Sequence, residues 1–95
     1  MDALPLPADA RPRLSPHYVF RWEESQSAFI LLYPEGLIKL NASAGAILAR
    51  CDGARTLATI IAELQASFPA QGAEIADGVR AFVDLACDKG WLRAA

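Results

Sequence analysis

The spacing of apolar residues changes once along the chain. Between Tyr18 and Leu40 they alternate or form short runs; after Asn41 they recur every three or four residues. Tyr18, Phe20 and Trp22 fall on one face of an extended segment and Val19, Arg21 and Glu23 on the other, which predicts a half-buried strand over 18–23. Glu24 to Ser27 reads as a turn. Ala28 to Tyr33 is apolar on both faces and predicts a central strand. Pro34-Glu35-Gly36 is a tight turn, and Leu37 to Leu40 a short third strand. Three strands joined by short turns form an antiparallel meander.

The helical period then takes over. Asn41 to Ser43 offer capping side chains ahead of a short helix over 44–51, which Asp52-Gly53 ends. Thr56 caps a second helix carrying Leu57, Ile60, Ile61, Leu64 and Phe68, and Pro69 stops it. Gln71 and Gly72 open a third, with Ile75, Val79, Phe82, Val83 and Ala86 on one stripe and Gly90 at its end. The fold class is α+β: a three-stranded antiparallel sheet followed by three helices, arranged like a winged helix-turn-helix. Residues 1–16, with Pro5, Pro7, Pro12 and Pro16, are expected to form an extended, partly mobile arm. Residues 17–95 form a single domain.

Composition narrows the function. The chain has 95 residues, 54% of them hydrophobic and 21% charged, so it is one folded domain with a small core rather than a disordered chain. The uncharged stretch Ser25 to Pro34 is about half of what a membrane-spanning helix needs. The first residues lack a cationic segment followed by an apolar one, so a cytoplasmic chain without a signal peptide is expected. Cys51 and Cys87 sit in helical patterns and read as small buried hydrophobes.

Groups for catalysis are sparse. His17 is the single histidine, and with no histidine pair and no CxxC a zinc site lacks ligands. The glycines form no phosphate-cradling loop. DNA binding through the second helix is disfavoured, because its exposed positions include Glu63 and no Lys or Arg beyond Arg55 at its edge. A homodimer built by exchange of the arm or a strand is a further possibility. The third strand, last in the meander and apolar except for Lys39, is a candidate open edge to which a peptide can add. The third helix would wall such a groove, with Asp77, Arg80, Asp84 and Cys87 on its flank. Equally, Lys39 can serve only to protect the edge, and Arg80 only to pair with Asp77 or Asp84.

An ordered set of short motifs adds to this. Leu31-Leu32-Tyr33-Pro34-Glu35-Gly36, Leu40-Asn41-Ala42-Ser43-Ala44, Ile47-Leu48, Cys51-Asp52-Gly53 and Gly90-Trp91-Leu92 together resemble the pyrroloquinoline quinone biosynthesis protein D family, PqqD, over roughly residues 13–93. The resemblance implies a small winged-helix-like peptide chaperone that is not itself an enzyme. Such a domain binds the leader of a ribosomally made precursor peptide and presents it to a radical S-adenosylmethionine enzyme, which cross-links a Glu and a Tyr. The net charge of −2 gives no electrostatic reason to bind nucleic acid or a membrane surface, and no metal or cofactor of its own is expected. In such domains the leader pairs with the third strand, here Leu37, Ile38, Lys39 and Leu40. Arg80, Val83, Asp84 and Cys87 are the helix contacts chosen by spacing. The motif residues themselves read as structural: Pro34 to Gly36 as the turn, Asn41 and Ser43 as caps, Asp52-Gly53 as a helix end, and Trp91 packed on the sheet.

Overall fold

The computed structural model describes residues 6–94. Eight elements follow in order: β1 (Pro12–Leu14), β2 (Val19–Glu23), β3 (Ala28–Tyr33), β4 (Gly36–Lys39), α1 (Ala42–Leu48), α2 (Leu57–Ser67), α3 (Gly72–Asp88) and β5 (Leu92–Ala94). The main sheet is antiparallel with order β2-β3-β4, so β3 is central and β4 is an edge. This is the α+β meander followed by three helices that the periodicity predicts.

The register explains which side chains enter the core. Cross-strand neighbours share a face. Phe20, Leu31 and Ile38 form one row, and Val19, Leu32 and Leu37 the next. The first row faces the helices: Leu31 is fully buried beside Ile47, Ile60, Val79 and Val83. The second faces away, and Val19 and Leu37 are each 53% exposed. Ile30, also buried, lies on this outer face in register with Arg21 and Lys39, whose aliphatic stems are long enough to cover it.

The proline-rich segment departs from expectation. It is extended, but residues 8–15 are fastened along the body. Pro12 to Leu14 pair with Leu92 to Ala94 in a second, two-stranded antiparallel sheet. The amides of Leu57 and Ala58 donate to the carbonyls of Ala10 (2.8 Å) and Ala8 (2.9 Å), and Gly53 N–H donates to Pro12 O (3.0 Å). Proline lacks a donor but keeps its carbonyl. The segment therefore satisfies the first amides of α2, which have no partner within their own helix. Residues 1–5 of the expected arm lie outside the described residues.

Local chemistry sets the other boundaries. Asn41 Oδ1 accepts from Ala44 N–H at 2.8 Å, so α1 begins at Ala42 and Ser43 lies inside it rather than capping it. Thr56 Oγ1 accepts from Thr59 N–H and caps α2. Gly90, at φ +82°, ends α3: Gly90 N–H donates to Cys87 O and Trp91 N–H to Ala86 O. This paired arrangement turns the chain sharply and directs Leu92 into the core.

α1 lies against β3 through Gly45. A methyl group there would sit 2.6 Å from Phe29 Cδ2 and 3.3 Å from Phe29 Cβ. The Phe29 ring has little room to retreat, being stacked on Phe20 (4.9 Å between centroids) and met edge-on by Trp22 (5.2 Å). Gly45→Ala gains about 1 kcal/mol in helix propensity, but overpacking typically costs about 1–3 kcal/mol. A net loss of stability is expected in denaturant titration; an unchanged or raised midpoint would show that Phe29 yields.

Candidate functional site

Antiparallel pairs alternate between those that exchange both backbone hydrogen bonds and those that exchange none. Leu40 N–H donates to Phe29 O at 2.9 Å, which fixes the phase. Ile38, two residues back and opposite Leu31, is therefore also bonded inward to β3. Leu37 and Lys39 fall in the intervening pairs, so their N–H and C=O groups point away from the sheet along an open edge.

A groove of about 820 Å³ runs beside this edge. Ile38, Lys39 and Leu40 form one side, Ala42, Ser43, Ala44, Ala46 and Ile47 of α1 line its floor, and α3 forms the opposite wall. The α3 residues on it are Glu74, Ile75, Gly78, Val79, Phe82 and Leu85, spaced three or four apart as one face of a helix. Phe68 and Leu85 are about half exposed at its rim, and Trp91 also lines it, 6.4 Å from Phe82 between ring centroids. Trp91 thus stands at the groove beside α3. The lining is mainly apolar, with Lys39, Asn41, Ser43, Gln71 and Glu74 as its polar members. Lys39 has no ion-pair partner among the described residues.

The structure brings together only some of the residues chosen from sequence. Ile38 and Lys39 border the groove. Leu40 reaches it as well, but its side chain is 6% exposed and belongs mostly to the core. Leu37 turns its side chain to the outer face and offers only backbone. The helix choices need correction. Val83 is fully buried in the core, Cys87 packs half-buried against it, and Arg80 and Asp84 are exposed away from the groove. At 100° per residue, positions 80, 84 and 87 lie across the helix from 75, 78 and 82. Ile75, Val79 and Phe82 were legible from sequence only as part of the apolar stripe with Val83 and Ala86, which does not mark them as groove lining.

The charged groups between α1 and α2 are committed to structure. Glu63 accepts from Arg50 Nε (3.2 Å) and Arg55 Nε (3.1 Å), and Arg55 also bonds Asp52 (2.7 Å). The hydrogen bond and charge of Glu63 hold the Arg55 guanidinium above its ordinary pKa. These arginines therefore add little free positive charge to α2. Burial, with small contributions from Cys87 and Asp52, pushes the Cys51 thiol up to about 12, and its Sγ donates to Ile47 O. Burial followed by the Asp84 charge also raises Cys87. Neither thiol is a ready nucleophile at neutral pH. Among the described residues, no three His, Cys, Asp or Glu side chains gather as a metal site, and no helix is long and apolar enough to cross a membrane.

Known proteins are similar to this chain in sequence and in fold. The family model described as Coenzyme PQQ synthesis protein D (PqqD) matches residues 28–92. The chain belongs to the PqqD family. Relatives called PqqA binding protein include one from Stutzerimonas stutzeri, 47% identical over 74 residues (77% of this chain, 78% of the relative). Another, from Methylococcus capsulatus, is 41% identical over 88 residues (93% and 92%). The solution structure of the PqqD truncation of Methylobacterium extorquens PqqCD, described as a functional, stand-alone recognition element for ribosomally synthesised and modified peptides, superposes with a TM-score of 0.74. It is 28% identical and covers 90% of each chain.

Within this PqqD-family chain, the motifs that carry the resemblance set turns and helix ends. Pro34 and Glu35 occupy the turn closed by Tyr33 and Gly36, Asn41 starts α1 beside the open edge, and Gly90 places Trp91. Asp52 Oδ1 accepts from the amides of Arg55 and Ala54, both at 2.9 Å. Those two bonds, the Arg55 one first, hold its carboxyl below the ordinary value of 3.8. A lowered folded-state pKa stabilises above the unfolded value and is lost as pH falls through the folded one. Asp52→Ala is therefore expected to be less stable than wild type at pH 7. The gap should close as pH falls below about 4, read by thermal unfolding at several pH values. A gap that persists at low pH would assign the effect to something other than the ionised carboxylate.

Proposed function

We propose that this protein binds the leader of a PqqA-type precursor peptide as an added strand on β4, lying in the groove against α3, and holds it for the radical S-adenosylmethionine enzyme of the pathway. The observation that carries the reading is the outward-pointing backbone of Leu37 and Lys39 beside an apolar groove. The relatives called PqqA binding protein and the Methylobacterium recognition element support the choice of ligand.

Strand addition divides the labour of recognition. Four backbone groups of Leu37 and Lys39 are available, each hydrogen bond contributing about 0.5–1.5 kcal/mol net. They are blind to sequence. Selectivity then falls to side chains, and an added strand turns only alternate residues toward the face of Ile38. The leader should present apolar residues two apart into the groove, with the intervening residues beside Leu37 and Lys39 on the outer face. The reading assigns no catalytic group to this chain: it supplies position, and the partner enzyme supplies chemistry.

The inward and outward amides can be tested separately. Proline is tolerated at an edge where the N–H faces solvent, and not where the N–H belongs to the ladder. Leu37→Pro should leave the fold intact and weaken binding of a PqqA-type peptide at least about tenfold, a loss of roughly 1.4 kcal/mol, by isothermal titration calorimetry. Ile38→Pro should instead unfold the β3–β4 pair. A folded Leu37→Pro protein with unchanged affinity would contradict strand addition.

A further inference from the structure

Gly78 lies mid-way along α3, on the stripe that walls the groove. Glycine is the least favourable interior residue of a helix after proline, because it loses the most backbone freedom on folding. Two features of a fold commonly require it there. One is a left-handed backbone angle, and Gly78 is not among the residues with positive φ. The other is close approach by a neighbouring element, as Phe29 approaches Gly45. A Cβ built on Gly78 meets no atom within 4 Å. Among the described residues, nothing uses the missing side chain.

The consequence of its absence lies in the groove. Ile75 and Phe82 are the helical neighbours three residues before and four after Gly78, and Val79 adjoins it; all three line the groove with it. Between these larger side chains Gly78 leaves an exposed notch, apolar toward Ile75, Val79 and Phe82 and bordered on its N-terminal side by Glu74. A polar group entering it would lose water with few partners in return. A small one would leave a void without contacts.

We propose that Gly78 is a specificity-determining position of the groove: the notch it leaves receives one large apolar side chain of the bound leader, from among the alternate residues that face α3. The proposal rests on the strand-addition reading above and deepens it by assigning one position of the leader.

Because folding makes no use of the glycine, stability and binding should move in opposite directions. Gly78→Ala is expected to raise the melting temperature by about 5 °C through helix propensity, and to weaken peptide binding a few-fold. Gly78→Leu, which places a good helix former in the notch, should remain folded and bind at least about tenfold more weakly. The probe is a synthetic PqqA-type precursor peptide with its single-alanine set, titrated calorimetrically against wild type and both variants. One alanine peptide should bind wild type more weakly than the parent peptide yet bind Gly78→Leu better than the parent does, because the new leucine occupies the space that the peptide side chain vacates. Parent peptide that fails to bind wild type would overturn the proposed function itself. Binding to wild type with equal affinity for Gly78→Leu would overturn the notch alone. So would weakened binding by Gly78→Leu that no alanine peptide restores, since α3 would then act only as a plain wall. A Gly78→Ala protein less stable than wild type would show that folding does use the glycine, and would overturn the argument at its base.

Discussion

The alternation of hydrogen bonds along β4 is the constraint on which the site depends. Leu40 is bonded to Phe29, so Ile38 must be bonded to Leu31, and Leu37 and Lys39 must face outward. The same alternation sends the Ile38 side chain toward the helices and Leu37 away from them. One strand therefore offers backbone to a partner at two positions and side chains to the groove at the positions between. A shift of β4 by one residue would exchange these roles, turning Leu37 toward the helices and Ile38 away from them.

Among the described residues, no strand pairs with that edge. Residues 8–15 of the proline-rich segment lie extended along the body. Their bonds go elsewhere: Pro12 to Leu14 pair with β5, and the carbonyls of Ala8 and Ala10 cap α2. After β4 the chain turns at once into α1, because the Asn41 side chain captures Ala44 N–H. α3 then does two things with adjoining stripes. Val79, Val83 and Ala86 anchor it in the core, while Ile75, Gly78 and Phe82 face the groove. The cap at Gly90 brings Trp91 to the same groove.

The meander and helices were legible because their periods differ and their ends carry recognisable chemistry: the turn at Pro34 to Gly36, the caps at Asn41 and Thr56, and the stop at Gly90. β1 and β5 were not. Each is three residues long, too short to show a period, and β1 begins with a proline that signals an arm. What holds the segment is mostly carbonyl oxygen, which every residue has and no pattern marks. The edge strand was legible from its place in the meander. The α3 contacts were not, because charged residues drew attention to Arg80 and Asp84, on the solvated side. The site is instead apolar and continuous with the core, so its residues look like ordinary packing until the sheet places β4 opposite them.

The central claim is that an extended peptide adds to β4 and lies against one face of α3. A backbone-amide NMR titration of the full chain with a PqqA-type precursor peptide tests it most directly. The expected result is saturable shifts in the amides of Leu37 and Lys39 and along residues 74–85 of α3, with the β2 edge and the outer face of α3 at Arg80 and Asp84 little changed. Shifts confined to β2 or to the paired strands β1 and β5, with β4 unmoved, would contradict it.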